Sequence, residues 1–145
     1  MPEAIYAVTI RRPPAAVFAF LADGEKCPQW RPGVLDIQRV SGDGVGTRYT
    51  QGVSGPMTRR IAADYEITVF IPNRRLDFQT IAGSVRPHGR YDLEAIDSGT
   101  RLTFSLNARL GTLKNLLMGS AIQKTMDADV RALDNLKRVL EIQGS

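Results

Sequence analysis

The sequence has very few of the side chains that form covalent cross-links and metal sites. It contains one cysteine, Cys27, and one histidine, His88, in 145 residues. A single cysteine excludes an internal disulfide and a cysteine-based zinc cluster, and a single histidine excludes a histidine-rich metal site. We therefore expect no bound metal and no cofactor, and a protein that resides in a reducing cytoplasm.

Long apolar runs are also absent. Pro13 and Pro14 interrupt the first apolar region, and no stretch approaches the roughly 20 residues that a membrane span needs. The chain opens on Met1-Pro2-Glu3, without a basic stretch followed by an apolar one, so a secretory signal is not predicted. The length predicts one domain over residues 1–145.

The charge is modestly basic. The net charge is +4 and the sequence pI is about 9.6. The arginines occur in scattered pairs with acidic residues between them, and neither an aromatic RNA-binding motif nor a helix-turn-helix pattern is present. We therefore expect no specific nucleic-acid partner, although a basic face that binds ribosomes or acidic partners remains an alternative.

The hydrophobic pattern predicts strands at both sides of two short helices. Residues 3–11 alternate as a strand, residues 15–22 form a short apolar helix after the prolines, and residues 25–31 are a loop or a second short helix. Six further strands joined by turn signals follow. They cover residues 34–40, 46–53, 57–70, 74–81, 84–95 and 100–110.

Each of these strands is apolar on one face, which predicts an antiparallel meander with one wet side and one dry side. On the dry face we place Leu35 with Ile37, and Arg59 with Ile61. Apolar residues at helical spacing from 113 to 143 predict one long helix that covers the dry face, with a bend at 119–121. The predicted class is α+β: a seven-stranded curved antiparallel sheet, two short helices after the first strand, and a long C-terminal helix on the concave face.

A twisted sheet curls, so one straight helix does not fill its trough evenly. The sheet and the helix diverge at one end, and this predicts an apolar cavity between them, the default binding site of such an architecture. The alternative is that large side chains fill the space completely.

Several segments resemble one known superfamily. They are VTIRRPPAAVFAFLADGEKCPQWRPGV (8–34), GVGTRYT (44–50), IPNRRLDFQT (71–80), GTRLTFSL (99–106) and LDNLKRVLE (133–141). Together with the order of elements, they resemble the START-like, helix-grip superfamily (SRPBCC), and within it the polyketide cyclase/dehydrase and lipid-transport family. The resemblance covers nearly the whole chain and implies binding of lipids, polyketides, quinones or other apolar molecules. It supplies no universal catalytic motif.

Candidate ligand-binding residues follow from strand parity, from helical spacing and, for Trp30, from a tryptophan common in the family. Tyr49 and Tyr65 point inward, Gln51 is a polar residue on the dry face, and Arg59 lies at the cavity mouth. The full candidate set is Trp30, Tyr49, Gln51, Arg59, Tyr65, Phe78, Tyr91, Leu117, Ile122 and Met126. For each residue the alternative is an ordinary role in the core or on the surface.

Catalytic signals are weak. Parity places His88 on the outer face, Cys27 has no histidine partner near it in the sequence, and Asp129 is read as a solvated carboxylate that lies close to the cavity at most. The catalytic residues therefore stay unknown. The leading hypothesis is a protein that binds a small hydrophobic or amphipathic molecule. A cyclase or dehydratase acting by substrate positioning and carbonyl polarisation, and an interaction module, are the alternatives, and homodimer formation is left open.

Overall fold

The computed structural model of the protein describes residues 2–55, 57 and 59–144. Within this part of the chain, strands of one antiparallel sheet occupy most of the length. They are β1 (Glu3–Ile10), β2 (Val34–Ser41), β3 (Arg48–Ser54), β4 (Arg60–Ala62), β5 (Tyr65–Ile71), β6 (Arg75–Thr80), β7 (His88–Ile96) and β8 (Gly99–Asn107). Helix α1 (Pro14–Ala22) and a 3₁₀ helix (Gly24–Gln29) follow β1, and helices α2 (Thr112–Arg131) and α3 (Leu133–Gln143) follow β8.

The strand order is β1-β8-β7-β6-β5-β3-β2, with the short β4 paired to β3. The consecutive strands from β5 to β8 are joined as antiparallel neighbours, whereas α1 and the 3₁₀ helix lead from the β1 edge to the β2 edge. This arrangement confirms the predicted α+β helix-grip class with its curved antiparallel sheet. β4 is an additional strand that the sequence did not separate from its neighbour.

Strand β8 shows how the sequence pattern places the core. Leu102, Phe104 and Leu106 are buried, Thr103 and Ser105 between them are half-buried, and Arg101 and Asn107 on either side are exposed. Because side chains alternate across a strand, one face of the sheet is dry and the other is in contact with water. The dry concave face is the one that positions the candidate site.

The predicted strand 57–70 is interrupted, and its residue Thr58 lies outside the described residues. Between β4 and β5 the Asp64 Oδ1 accepts a hydrogen bond from the Gln51 backbone N–H at 3.0 Å. The Asp64 side chain takes the place of a backbone hydrogen-bond partner for β3. The pairing of β3 is therefore interrupted between β4 and β5. The inward orientation predicted for Ile61 is therefore wrong, and the side chain is exposed.

A register shift also changes the parity of β2. The pairing with β3 slips between Val34 and Asp36, which is typical of a β-bulge. As a consequence Val34 is buried and Leu35 is exposed, whereas Ile37 remains half-buried. The predicted shared face of Leu35 and Ile37 is wrong for this reason.

The long C-terminal helix is divided, although not at the predicted place. α2 runs through 119–121 without interruption, and the break falls at Ala132, where the backbone N–H bonds to the Asp129 carbonyl oxygen at 3.1 Å in a tighter turn. Both segments pack on β1, and α2 also reaches β8. The buried side chains of the two helices are Met126, Val130, Leu133, Leu136 and Leu140.

Candidate functional site

Aromatic rings cross the concave face of the sheet from β3 to β8. Tyr49 and Tyr65 stack with ring centroids 4.9 Å apart, and Phe78 follows at 5.2 Å from Tyr65. Tyr91 lies 6.1 Å from Phe78 and stacks on Phe104 at 4.4 Å. The rings meet because these residues share the inward face of neighbouring strands, where aromatic pairs add stability beyond their buried area.

Trp30 packs against the Tyr91 and Phe104 end of this row of rings. Its ring lies edge-on to both Tyr91 and Phe104, with centroids 6.3 Å from each. Its position at the end of the 3₁₀ helix is fixed from the opposite side by α3, where Asn135 Nδ2 donates to the Trp30 carbonyl oxygen at 3.1 Å. The short helical segment and α3 are therefore both attached to Trp30.

Gly24 permits the closest approach in the site. Its backbone N–H donates to the Tyr49 hydroxyl at 3.2 Å, and that hydroxyl donates to the Ala22 carbonyl oxygen at 3.2 Å. A Cβ atom at position 24 would stand 2.4 Å from the Tyr65 hydroxyl oxygen. Only glycine fits between the two tyrosines without displacing them.

A small, partly open cavity of about 10 Å³ lies among these side chains. This volume is at the lower limit of what one water molecule needs. Its wall is formed by Leu21, Ala22, Gly24, Cys27, Trp30, Arg31, Tyr49, Tyr65, Ile67, Leu76, Phe78 and Tyr91. The predicted gap is therefore small, and it lies beneath α1 and the 3₁₀ helix rather than beneath the C-terminal helix, because the aromatic rings fill most of the trough.

Arg31 lines the cavity and forms an ion pair with Asp129, which lies outside the cavity wall. Arg31 donates from Nε to Asp129 Oδ1 at 3.0 Å and from Nη2 to Oδ2 at 2.7 Å. The guanidinium side chain is 9% exposed. Burial by itself lowers the pKa of Arg31, but the charge of Asp129, the interactions with Tyr91 and Cys27, and the hydrogen bonds to Asp129 together outweigh burial and raise that pKa well above its usual value. Arg31 is thus a permanent cation inside the core.

Two tyrosines and a thiol face the same cavity in their neutral forms. Burial raises the pKa of Tyr65 and of Tyr91 well above the usual value for a phenol. Burial also raises the pKa of Cys27, although hydrogen bonds with Arg31 and Tyr65 partly oppose the effect. At neutral pH both hydroxyls keep their protons and the sulfur stays a thiol, which is a poor nucleophile.

This set of groups can donate hydrogen bonds to an oxygen atom. Arg31, Tyr65 and Tyr91 are donors of the kind that polarise a carbonyl group. The described wall contains no carboxylate and no imidazole, so it offers no ordinary general base. Across the described residues, moreover, no group of three or more His, Cys, Asp or Glu side chains is placed to hold a metal ion.

The sequence matches one family model, described as polyketide cyclase/dehydrase and lipid transport, over residues 1–141. The chain belongs to this polyketide cyclase/dehydrase family. Among curated protein sequences, none matches the chain significantly.

Solved structures support the same fold. The crystal structure of TTHA0849 from Thermus thermophilus is 22% identical, with a TM-score of 0.84 over 99% of this chain and 100% of that one. The di-domain ARO/CYC StfQ of the steffimycin biosynthetic pathway is 10% identical, with a TM-score of 0.80 over 97% of this chain and 50% of that one. Ara h 8.0201 is 18% identical, with a TM-score of 0.69 over 95% and 96% of the two chains. At these identities the likeness concerns the fold.

Half of the candidate ligand-binding residues meet at the cavity of this polyketide cyclase/dehydrase family member. The five in its wall are Trp30, Tyr49, Tyr65, Phe78 and Tyr91. Their role in binding a ligand stays a prediction. Strand parity and the family tryptophan sufficed to find them because the four strand residues all keep the inward side of their strands.

Two polar candidates lie elsewhere. Gln51 is buried on the inward face but outside the cavity wall; its Nε2 donates to the Ala63 carbonyl oxygen at 3.1 Å. Its Oε1 is buried and has no hydrogen-bond partner in the described structure. Arg59 is exposed ahead of β4, because the interruption at Asp64 removes the inward parity that placed it with Tyr65.

The helix candidates are spread along α2. Met126 is buried in the core, Ile122 is half-buried against it, and Leu117 is 73% exposed. None of the three reaches the cavity wall. Leu117 was expected inside because its spacing fits a helix that packs along its whole length, whereas the first half of α2 does not pack on the aromatic rings.

Sequence reasoning missed the polar part of the site. Arg31 was not a candidate, and Asp129 was read as a solvated carboxylate, whereas the structure joins the two across 98 residues. No local pattern signals such a pair. Gly24, which contacts both tyrosines in the structure, was not a candidate either.

His88 lies on the outer face, as parity predicted. Its Nε2 is 3.4 Å from Asp77 Oδ2 on the convex side of the sheet. Arg75 and Arg90 also contact this carboxylate. This cluster is separated from the cavity by the sheet itself.

Proposed function

We propose that the protein binds a small hydrophobic or amphipathic molecule that carries an oxygen acceptor, in the space between the concave sheet and the short helices. The observation that supports this most directly is the convergence of Arg31, Tyr65 and Tyr91 on one small cavity. A core built for stability alone is better served by apolar groups, because a buried arginine loses its hydration. Polar groups placed among aromatic walls are instead typical of ligand sites.

The chemistry of the wall defines the ligand class. The rings of Tyr49, Phe78 and Tyr91 offer flat apolar surface, and the hydroxyls and the guanidinium are donors. A ligand that fits has aromatic or extended apolar character with a carbonyl, phenolate or carboxylate oxygen. The family description and the ARO/CYC name of StfQ agree with a molecule of this kind.

Entry of such a ligand requires the cavity to widen. The present volume of about 10 Å³ is far below the roughly 300 Å³ of small-molecule sites. The Arg31–Asp129 pair joins the segment after the 3₁₀ helix to α2, so both elements move together unless this pair breaks. We infer that the described conformation is the closed one and that binding selects an open one.

Two measurements test the proposal. Native mass spectrometry of the purified protein detects retained small molecules, and 2-naphthol fluorescence reports binding to the aromatic site. Cys27→Ala enlarges the cavity and is expected to raise the affinity for 2-naphthol severalfold, whereas Cys27→Met fills it and abolishes binding. Tyr65→Phe removes one hydroxyl and lowers the affinity roughly threefold to tenfold, the effect of one hydrogen bond.

The pair of Cys27 variants keeps the test decisive. If Cys27→Met fails to fold, Cys27→Ala and Tyr65→Phe still give opposite expected shifts. The proposal is overturned if the protein retains no small molecule and 2-naphthol binds equally to every folded variant.

A second candidate function is a cyclase or dehydratase reaction on a chain of ketone groups. The observation in its favour is that the raised pKa values of Tyr65 and Tyr91 keep both as proton donors next to a fixed cation. Such donors stabilise the negative charge that develops on a carbonyl oxygen during enolisation or aldol ring closure. The site would hold the chain in one folded conformation and leave proton removal to water.

Product analysis distinguishes the enzyme from the binding protein. A linear 1,3,5-triketone is incubated with the protein, and liquid chromatography with mass spectrometry follows loss of water and ring formation. Acceleration over buffer that falls at least tenfold in Tyr91→Phe supports an enzyme. Tight binding of the triketone without acceleration supports the binding protein alone.

A further inference from the structure

The first two turns of α2 carry a row of exposed leucines. Leu113, Leu116 and Leu117 are 68%, 80% and 73% exposed, and Met118 beside them is 45% exposed. The spacing i, i+3, i+4 places the leucines on one side of the helix. The first buried residue of α2 is Met126, so this half of the helix projects its apolar side away from the core.

The surroundings of this leucine row are basic. From Ala108 to Met126 the sequence contains three basic residues, Arg109, Lys114 and Lys124, and no acidic one. Lys114 also brings the neighbouring β6–β7 loop into the patch, because its Nζ donates to the Ser84 carbonyl oxygen at 3.1 Å.

That loop, residues 81–87, adds the exposed Arg86 and the exposed Ile81 and has no acidic residue. The nearest acidic residue along α2, Asp127, lies about 15 Å along the helix axis from Leu117 and three residues after Lys124, and the exposed Glu3 of β1 contacts α2 at Gln123, so the acidic groups lie only at the Lys124 end. The leucine row and its basic surroundings form one surface, which we call the basic leucine patch: Ile81, Arg86, Arg109, Leu113, Lys114, Leu116, Leu117, Met118 and Lys124.

We propose that the basic leucine patch docks the protein on a membrane surface that contains anionic lipids. Leucine side chains on a helix that lies in the interface enter the boundary between headgroups and acyl chains, while lysine and arginine meet lipid phosphates. In the described part of the chain no helix has both the length and the apolar character needed to cross a bilayer. The patch therefore supports contact with one leaflet.

The charge, size and side-chain types of the basic leucine patch favour a membrane over a second copy of the chain or a nucleic acid. A second copy of the chain in a symmetric dimer would place the basic patch against itself, with like charges facing each other. A stable protein interface also buries about 800 Å² on each partner, contributed by some 20–30 residues, which is much more than this patch offers. Single-stranded nucleic acid selects aromatic and hydrogen-bonding side chains, whereas these four exposed side chains are aliphatic or thioether.

Vesicle sedimentation tests the proposal on the full chain without any added ligand. The protein is mixed with vesicles of phosphatidylcholine alone and with vesicles that also contain phosphatidylglycerol. We expect binding to the anionic vesicles that weakens as salt is raised. The double variant Leu116→Ser/Leu117→Ser is expected to reduce the bound fraction at least tenfold, and Lys124→Glu about fivefold for each unit of charge removed.

Matched variants distinguish binding through the basic leucine patch from non-specific adsorption to vesicles. Leu35→Ser/Val40→Ser removes two exposed apolar side chains on β2, and Arg101→Glu reverses a charge on the convex face; both should leave vesicle binding unchanged. Circular dichroism confirms that each variant is folded.

Several outcomes overturn the proposal. They are absence of binding to anionic vesicles, binding that survives the loss of both leucines, and light scattering that shows a dimer which the leucine variant dissociates. Because vesicle binding needs no occupied cavity, it stands or falls separately from 2-naphthol binding and retention of small molecules.

Discussion

Arg31 and Asp129 are joined by two parallel hydrogen bonds, Nε to Oδ1 at 3.0 Å and Nη2 to Oδ2 at 2.7 Å. The pair connects the end of the 3₁₀ helix to the last turns of α2, three residues before the break at Ala132. Asn135, three residues after the break, holds the backbone of Trp30. The division of the C-terminal helix thus coincides with its attachment to the candidate site.

Replacement of Asp129 by Asn is expected to destabilise the protein by about 3 kcal/mol, because it leaves the Arg31 cation buried without a compensating charge. Urea unfolding measures the change in the free energy of unfolding. If the cavity opens through this pair, the same variant also binds 2-naphthol faster.

The chain contains a control with the same geometry at the surface. Arg60 and Asp36 form an equally short bidentate pair, at 2.7 and 2.8 Å, but about half of each side chain is exposed. Asp36→Asn should change stability very little, since exposed pairs contribute little. Equal effects of the two substitutions would contradict the view that burial makes the Arg31–Asp129 pair important.

Gly24→Ala is expected to cost about 2 kcal/mol, because the new methyl group must displace the Tyr65 hydroxyl or the Tyr49 ring. Gly33→Ala is the matched control: a Cβ atom there meets no atom within 4 Å, so its effect should lie within about 0.5 kcal/mol of zero. Thermal unfolding compares the two variants. A fully stable Gly24→Ala protein would contradict the conclusion that only glycine fits between the two tyrosines.

Asp77 makes the stability of the convex face depend on pH. Burial by itself raises the pKa of this carboxyl, but hydrogen bonds and charge from Arg75, with the charges of Arg90 and His88, outweigh burial and lower the pKa. The unfolded chain, with a pKa of about 3.9, therefore binds the proton more readily than the folded one. The stabilisation is fully present well above pH 4 and is lost as the pH falls through the folded value.

Asp77→Asn removes this dependence and is expected to cost about 2 kcal/mol at neutral pH. The free energy of unfolding, measured by urea between about pH 3 and pH 7, should fall less steeply with acid in Asp77→Asn than in the wild type. Glu94→Gln, an exposed carboxyl on the same strand as Arg90, serves as control. An unchanged pH profile in Asp77→Asn would show that other carboxyls control acid unfolding.

The alternating strands could be predicted because burial there depends on parity alone. Tyr49, Tyr65 and Tyr91 follow that rule and meet at the cavity. Parity failed at Leu35 and Ile61, where a bulge and the Asp64 side chain shift the register, and neither device has a marker in the local sequence.

Local sequence patterns could not predict the Arg31–Asp129 pair or the exposure of the leucines at the start of α2. Arg31 and Asp129 are 98 residues apart in the sequence and come together only in the folded structure. The row from Leu113 to Leu117 has the spacing of a core helix, and periodicity cannot tell whether a sheet lies beneath it. These leucines are exposed because the first half of α2 does not pack on the aromatic rings of the sheet.

Gln51 offers a prediction in which stability and binding move in opposite directions. Its Oε1 is buried without a partner, an arrangement that costs free energy, while its Nε2 makes one hydrogen bond to the Ala63 carbonyl oxygen. Gln51→Leu removes both, so we expect the free energy of unfolding to stay level or rise by up to about 1 kcal/mol. If a hydroxyl group of the ligand donates a hydrogen bond to Oε1 in the open state, the variant loses affinity for a ligand that carries this group.

The paired probes for this test are 2-naphthol and 2-methoxynaphthalene, which differ in the hydroxyl donor. Gln51→Leu should weaken binding of 2-naphthol severalfold and leave 2-methoxynaphthalene unchanged; an equal loss for both probes would assign Gln51 to packing of the sheet.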